Sequence, residues 1–202
     1  MSLDSRRGFL QQSFFATALG AAALAQDQTS GLPWKAGLAK TVITPEKSVW
    51  LAGYGTKRAP AGKIHDLWMK ALALEDSNGQ RAVLITSDFQ GVPKSMSDRA
   101  FALLKEKHGL ARTQVMFTFS HNHCGPRLGD DLIDYYPIEA EQVELVEEYT
   151  TQMVQKVGEL VGEALKNLQP AKLAQGEGKA TSHQNPLFVD GRKVRWRVQC
   201  RL

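Results

Sequence analysis

The sequence has 202 residues, of which 43% are hydrophobic and 23% charged, and its formal net charge is +4. This composition excludes a disordered chain and, at this length, predicts one globular domain or little more. Nucleic-acid binding is disfavoured, because basic residues crowd the last eleven positions and form no stripe interleaved with aromatic residues. The two cysteines, Cys124 and Cys200, make no disulfide framework.

Residues 1–25 are typical of a signal peptide. Arg6 and Arg7 precede an apolar stretch, Phe14 to Ala25, that closes with the Ala-Leu-Ala pattern accepted by signal peptidase. The stretch is well short of the roughly 20 residues that span a bilayer. The Ser-Arg-Arg-Gly-Phe-Leu order resembles a twin-arginine signal. An amphipathic terminal helix is disfavoured by the Ala- and Gly-rich block, so we expect an exported protein, periplasmic or extracellular, whose mature chain begins near Gln26.

The next segments predict a spacer and then paired strands. Residues 26–35 are polar and turn-rich, as expected for a spacer. Residues 36–55 indicate an extended segment followed by a glycine-rich turn. Two strand patterns, at about 67–75 and 81–88, are joined by Ser-Asn-Gly, and Asn-Gly is a strong hairpin signal.

Helical patterns follow the hairpin. The first predicts a helix with Ser95 or Ser97 as N-cap and Gly109 as its stop. A strand at 114–119 comes next, and apolar spacing predicts a long amphipathic helix at 138–168. This order predicts an α/β fold in which a mixed β-sheet core is flanked by helices.

The motif "FTFSHNHCGPRLGDD" contains the candidate functional residues. His121 and His123 follow the strand at 114–119, which predicts that they lie at the carboxyl edge of the sheet, where α/β folds bind ligands. On an extended backbone, residues i and i+2 point the same way, and imidazole is a common zinc ligand. The pair alone leaves a metal or catalytic site and two satisfied loop histidines equally open. A catalytic zinc needs three protein ligands, so others must come from elsewhere in the chain.

The segments "AGLAKTVITP", "LAGYG", "IHDLWMKALALED", "RAVLITSDFQG" and "SHNHCGP" occur in this order. Together they resemble the amino-terminal catalytic domain of the neutral/alkaline non-lysosomal ceramidase family. The resemblance covers residues 36–179 as an incomplete catalytic domain, and residues 180–202 form a tail that departs from the family pattern.

The resemblance implies a secreted, zinc-dependent amidohydrolase that cleaves the N-acyl bond of ceramide, or of a related lipid amide or ester. It implies Zn2+ as cofactor, a lipid amide as substrate and, with it, contact with a membrane surface. The alternative is a catalytically inactive fragment or secreted binding module that keeps part of the fold.

The resemblance also assigns residues. His121 becomes a zinc ligand, and His123 lies beside the metal, where it can hold the oxyanion. Cys124 replaces a serine of the family, which implies a thiolate ligand or altered surroundings of the metal. The remaining ligands (a histidine, a glutamate and a tyrosine) and the catalytic serine are expected beyond residue 202. From its own position at the end of a strand, Asp88 is a candidate to hold a histidine, or else to cap a turn.

Overall fold

A computed structural model of the chain describes residues 33–54, 58–131 and 140–174, and four short strands between residues 177 and 201. The predicted signal peptide and all but the last residues of the predicted spacer lie outside the described residues. The chain divides after Ala171 into two compact units. In chain order the elements of the first unit are β1 Trp34–Val42, β2 Trp68–Asp76, β3 Arg81–Ser87, α1 Lys94–His108, β4 Val115–Phe119, α2 Ala140–Lys166 and β5 Gln169–Ala171.

The second unit consists of short antiparallel pairs within its described residues. Its strands are β6 Glu177–Ala180, β7 Leu187–Val189, β8 Arg192–Val194 and β9 Val198–Arg201. Strand β6 pairs with β9, and β7 pairs with β8. Strands β7, β8 and β9 lie in the tail, residues 180–202, whose sequence departs from the family pattern.

The first unit is built on a five-stranded sheet with the order β4-β3-β2-β1-β5. All neighbouring strands are antiparallel except β3 and β4, which are parallel and connected through α1. The sheet is therefore mixed, and the predicted α/β class is confirmed. Strands β2 and β3 form the predicted hairpin, whose Gly79 has the positive φ of 77° that such a turn requires. Strand β1 begins at Trp34, two residues before the segment that resembles the ceramidases.

The start of α1 differs from the prediction. Ser95 and Ser97 lie inside the first turn, and the residue that precedes the helix is Pro93, whose carbonyl accepts the Ser97 amide at 3.0 Å. Proline is tolerated at this position because its missing N–H is not needed before the first turn of a helix. The end is as predicted, since Gly109 adopts a left-handed φ of 67° and its amide donates to the Lys105 carbonyl.

The two α-helices of the described residues, α1 and α2, pack against one face of the sheet. Alternate residues of β2 and β3 point into this core, as expected for strands covered on that side. The main core side chains are Met69, Ala71, Val83, Ile85, Ala100, Leu104, Met153, Val157 and Val161. The helices also contact each other closely, because a Cβ on Gly158 would lie 2.8 Å from the Leu103 side chain.

The opposite face of the sheet carries a row of large apolar side chains. Leu38, Leu72, Leu84 and Met116 are register partners across four neighbouring strands. Leu38 is 68% exposed and Met116 is 62% exposed. Within the described residues, the helices therefore cover one face of the sheet.

Glu75 of β2 contacts side chains of β1 and β3. These contacts predict how the stability of the fold depends on pH in the acid range. The Glu75 carboxylate accepts hydrogen bonds from Lys35 Nζ at 2.7 Å and from Arg81 Nε at 2.8 Å. The Lys35 hydrogen bond first, and then that of Arg81, lower the pKa of Glu75. A carboxylate with a lowered pKa stabilises the folded state fully above its unfolded pKa of about 4.3, and this stabilisation is lost as pH falls through the lower folded-state pKa.

We therefore expect Glu75→Gln to lower stability at neutral pH and to flatten the loss of stability below about pH 4.3. Urea unfolding at a series of pH values measures both effects. Glu106→Gln, at an exposed position on α1, is the matched control. A wild-type acid transition unchanged by Glu75→Gln would show that this carboxylate does not drive it.

Candidate functional site

The histidine segment lies where the two parallel strands end. The Ser120 amide donates to the Ser87 carbonyl at 3.0 Å, and the Asn122 amide donates to the Phe89 carbonyl at 3.3 Å. These bonds hold the chain after β4 beside the chain after β3. The predicted position of the motif, at the carboxyl edge of the sheet, is therefore observed.

The structure brings His121 and His123 together, although not for the expected reason. Strand β4 ends at Phe119, and His121 has a positive φ of 55°, so the backbone is not extended there. The two imidazole rings nevertheless meet edge to face with centroids 4.8 Å apart. Their Nε2 atoms are 3.2 Å apart. The left-handed turn at His121, and not strand alternation, points both rings to one place.

Gln90 fixes the proton on His121. The Nδ1–H of His121 donates to the Gln90 carbonyl at 2.8 Å, and a carbonyl can only accept. The Nε2 atom of neutral His121 therefore presents a lone pair, which is the form that binds a metal. The Gln90 side-chain Nε2 lies 3.4 Å from His123 Nε2, so the same residue contacts both histidines. The sequence placed Gln90 at this edge, two residues after Asp88, but gave no chemical reason to select it.

The geometry of the pair fits two ligand positions of one zinc ion. Two imidazole nitrogens bound tetrahedrally at about 2.0–2.1 Å would lie about 3.3 Å apart, close to the separation seen here. Two buried polar atoms beside the pair, His123 Nδ1 and Gln90 Oε1, make no hydrogen bond to the described part of the protein. Among residues 33–54, 58–131 and 140–174 and the four strands of the tail, no group of three His, Cys, Asp or Glu side chains could hold a metal ion. The described residues thus supply at most two ligands, and only His121 if His123 carries its proton on Nε2, short of the three of a catalytic zinc.

The glycine-rich segment "LAGYG" supports the His123 ring. Gly53 has a φ of 86°, and a Cβ at this position would lie 2.6 Å from both Cγ and Nδ1 of His123. The Tyr54 ring meets the His123 ring edge to face, with centroids 4.7 Å apart. Only glycine allows the backbone to approach the imidazole this closely while keeping a left-handed conformation.

Arg58 hydrogen-bonds to both the glycine-rich segment and the histidine motif. Its Nη1 donates to the His123 carbonyl at 2.8 Å and to the Ala52 carbonyl at 3.2 Å, and its guanidinium lies over the Tyr54 ring. The Ala52 amide also donates to the Gly125 carbonyl at 2.9 Å. Gly53 and Arg58 were not selected from the sequence. The only indication in the sequence was that "LAGYG" is one of the segments that resemble the ceramidase family. The resemblance implied no contact between this segment and His123.

Asp88 links the end of β3 to two neighbouring segments. Its Oδ2 accepts the Trp68 amide at 2.9 Å, and its Oδ1 accepts the Ser120 hydroxyl at 3.3 Å. These bonds tie the end of β3 to the start of β2 and to the residue before His121. They reach neighbouring segments and not the turn after β3, and any support that Asp88 gives to His121 runs through Ser120 and not through an imidazole.

Cys124 lies on the other side of the motif from the histidine rings. The residue is exposed, its amide donates to Asn122 Oδ1 at 2.8 Å, and its Sγ is 4.0 Å from Arg58 Nη2. Asn122, Cys124 and Pro126 line a separate cleft, to which His121 and His123 do not contribute. Of the two options that the resemblance implied for Cys124, these contacts fit altered surroundings better than a thiolate ligand beside the histidine pair.

Solved structures of two ceramidases share this fold. A crystal structure of neutral ceramidase from Pseudomonas aeruginosa matches with a TM-score of 0.61 and 24% sequence identity over 74% of this chain. A ceramidase complexed with C2 matches with a TM-score of 0.63 and 27% identity, also over 74% of this chain. The chain spans 24% of the length of each of them.

The other comparisons gave no match, either to a protein-family model or to a curated protein. The structural similarity shows that the chain contains a ceramidase-like domain, as its sequence motifs predicted.

Proposed function

We propose that this chain provides part of the active site of an exported, zinc-dependent amidohydrolase of the ceramidase type, acting on the N-acyl bond of a lipid amide. The proposal is carried by one observation: two imidazole Nε2 atoms, 3.2 Å apart, lie at the carboxyl edge of a ceramidase-like fold. The names of the two ceramidases support the substrate class.

The residues of this chain have separable roles in the proposed reaction. His121, with its proton held on Nδ1 by Gln90, presents Nε2 to the metal. A bound zinc ion would supply Lewis-acid polarisation of the amide carbonyl and activation of the attacking water or nucleophile. His123 Nε2 lies beside that of His121, where its N–H can donate to the negative charge that develops on the carbonyl oxygen. Gly53 and Arg58 fix the ring and backbone of His123, so this donor is oriented before the substrate arrives.

Export is part of the proposal and is supported by the sequence of residues 1–25, with its paired arginines and short apolar stretch. Twin-arginine export would suit a protein that acquires its metal while folding, before it leaves the cytoplasm. Among the residues that the structure describes, no helix is both long and apolar enough to cross a bilayer.

The zinc site predicts a specific loss of metal affinity. We expect His121→Ala to weaken zinc binding by more than the roughly 100-fold that loss of an outer hydrogen-bond partner causes, because it removes a direct ligand. Calorimetric titration of each protein with zinc measures this loss of affinity. His108→Gln is the matched control, because glutamine can still donate to the Gly158 carbonyl that His108 contacts. Equal zinc affinity in wild type and His121→Ala would refute the assignment.

A second candidate function is a binding module without catalytic activity. It is favoured by the small number of zinc ligands among the described residues. The described residues supply at most two of the three that a catalytic zinc needs. Release of fatty acid from a fluorescent ceramide, measured with zinc present, separates the two candidates. Purified chain that neither binds zinc at micromolar concentration nor releases fatty acid would favour the binding module.

A further inference from the structure

A cleft of about 520 Å³ lies on the side of the motif away from the histidine rings. Three segments form it: residues 44–51, residues 60–67, and the side chains of Asn122, Cys124 and Pro126. Its volume falls within the range of about 300–1,000 Å³ that is typical of small-molecule sites. The proposed hydrolysis makes no use of this cleft.

The lining of the cleft is mainly apolar. Its apolar side chains are Pro45, Val49, Leu51, Pro60, Ala61, Ile64, Leu67 and Pro126. Hydrogen bonds hold the walls in place: the Leu51 amide donates to the Arg58 carbonyl at 2.8 Å, and the Leu67 amide donates to the Thr44 hydroxyl oxygen at 2.8 Å. Such a preformed apolar cleft favours a hydrocarbon ligand, because burying apolar surface is the main favourable term available to it.

Both lysines that line the cleft are already paired. Lys47 forms an ion pair with Glu148, and Lys63 forms one with Asp66 at 2.8 Å. Glu46 adds a further carboxylate to the lining. The cleft therefore offers no excess positive charge, and an anionic head group would have to displace a carboxylate already bound to each lysine. This argues against a fatty-acid anion and for a ligand whose head group carries no charge.

We propose that this cleft binds the hydrocarbon chain of a single-chain amphiphile with an uncharged head group. The chain would lie against Leu51, Leu67 and Pro126, with the fully exposed Ile64 at the mouth. This site is distinct from the histidine pair, on the other side of the same segment. It rests on the geometry of the cleft and not on the proposed hydrolysis.

Cys124 provides a reporter for the cleft, because it lines the wall and is exposed to reagents. In a Cys200→Ser background, the rate at which a thiol reagent modifies Cys124 is measured with decanol, decanoate or butanol present. A ligand in such a site has most of its surface against the lining, to which Cys124 belongs, so we expect saturating decanol to slow the reaction by about fivefold or more. Decanoate should protect less at equal concentration, and butanol should not protect. Protection by decanoate equal to that by decanol, or no protection by decanol, overturns the proposal.

Two tryptophan substitutions test the location. Ala61 lines the cleft, whereas Ala59, two residues earlier and also exposed, does not. Ala61→Trp should fill the mouth and remove the protection by decanol, while Ala59→Trp should keep it. Equal protection in both variants would place decanol elsewhere and refute this site. Zinc titration is a separate readout, so a chain that binds no zinc but is protected by decanol contradicts only the proposed function.

Discussion

Substitution of Gly53 by alanine is expected to displace the His123 ring, which lies 3.2 Å from the metal-binding Nε2 of His121, and to weaken zinc binding by about 10–100-fold, the range found when the surroundings of a metal ligand are changed. The new Cβ would lie 2.6 Å from His123 Cγ and Nδ1, a distance at which the ring must move. Folding stability should fall as well, because the left-handed φ of 86° costs alanine about 1–2 kcal/mol before any contact is counted. Zinc titration and urea unfolding measure the two losses.

Gly79→Ala is the control that separates the close contact with His123 from the cost of placing alanine at a positive φ. Gly79 has a similar φ of 77°, but a Cβ there would meet nothing within 4 Å. This variant should lose about 1–2 kcal/mol from backbone strain alone and keep its zinc affinity. If Gly53→Ala were no less stable than Gly79→Ala and bound zinc like wild type, the close approach of Gly53 to His123 would have no functional meaning.

Substitution of Gly37 by alanine should have the largest effect on stability. Gly37 lies in β1 on the face covered by α2, and a Cβ there would be only 2.0 Å from the Ala164 carbonyl oxygen and 2.9 Å from the Asn167 carbonyl carbon. Both neighbours are backbone atoms, so no side chain can rotate away and the helix itself must shift. We expect a loss of about 3 kcal/mol, the upper part of the range for overpacked cores.

Urea unfolding of the Gly37→Ala variant measures this loss, and Gly91→Ala is the control. A Cβ on Gly91 meets nothing within 4 Å, and no positive φ is involved, so its stability should stay within about 0.5 kcal/mol of wild type. A Gly37→Ala protein as stable as Gly91→Ala would mean that α2 does not pack on β1 as described.

Local patterns predicted most of the first unit because their causes are local. The Asn78-Gly79 turn set the β2–β3 hairpin, and Gly79 has the positive φ that the turn needs. Apolar spacing predicted both helices, and Gly109 ended α1 as expected. The N-cap of α1 was placed too late, because serine is a general N-cap signal and Pro93 is an unusual one.

The candidate site was predicted in part. The sequence determined which two histidines would lie together and at which edge of the sheet, because both follow a strand whose end is visible in the sequence. It did not show that the contacts of Asp88 are with Trp68 and Ser120, since these hydrogen bonds depend on how β2 and β4 pair with β3. It also gave no reason to select Gln90.

The sequence by itself thus determined the order of the elements from β1 to α2, the turns and the presence of a histidine pair, all of which depend on residues close in the chain. Only the tertiary structure decided how that pair is arranged: the left-handed His121, the Gln90 carbonyl that fixes its proton, and the Gly53 and Arg58 contacts to His123. These contacts join residues that are distant in sequence and meet only when the segments after β1, β3 and β4 pack together. Secondary-structure propensity and hydrophobic periodicity describe a single segment, so they carry no information about such an encounter.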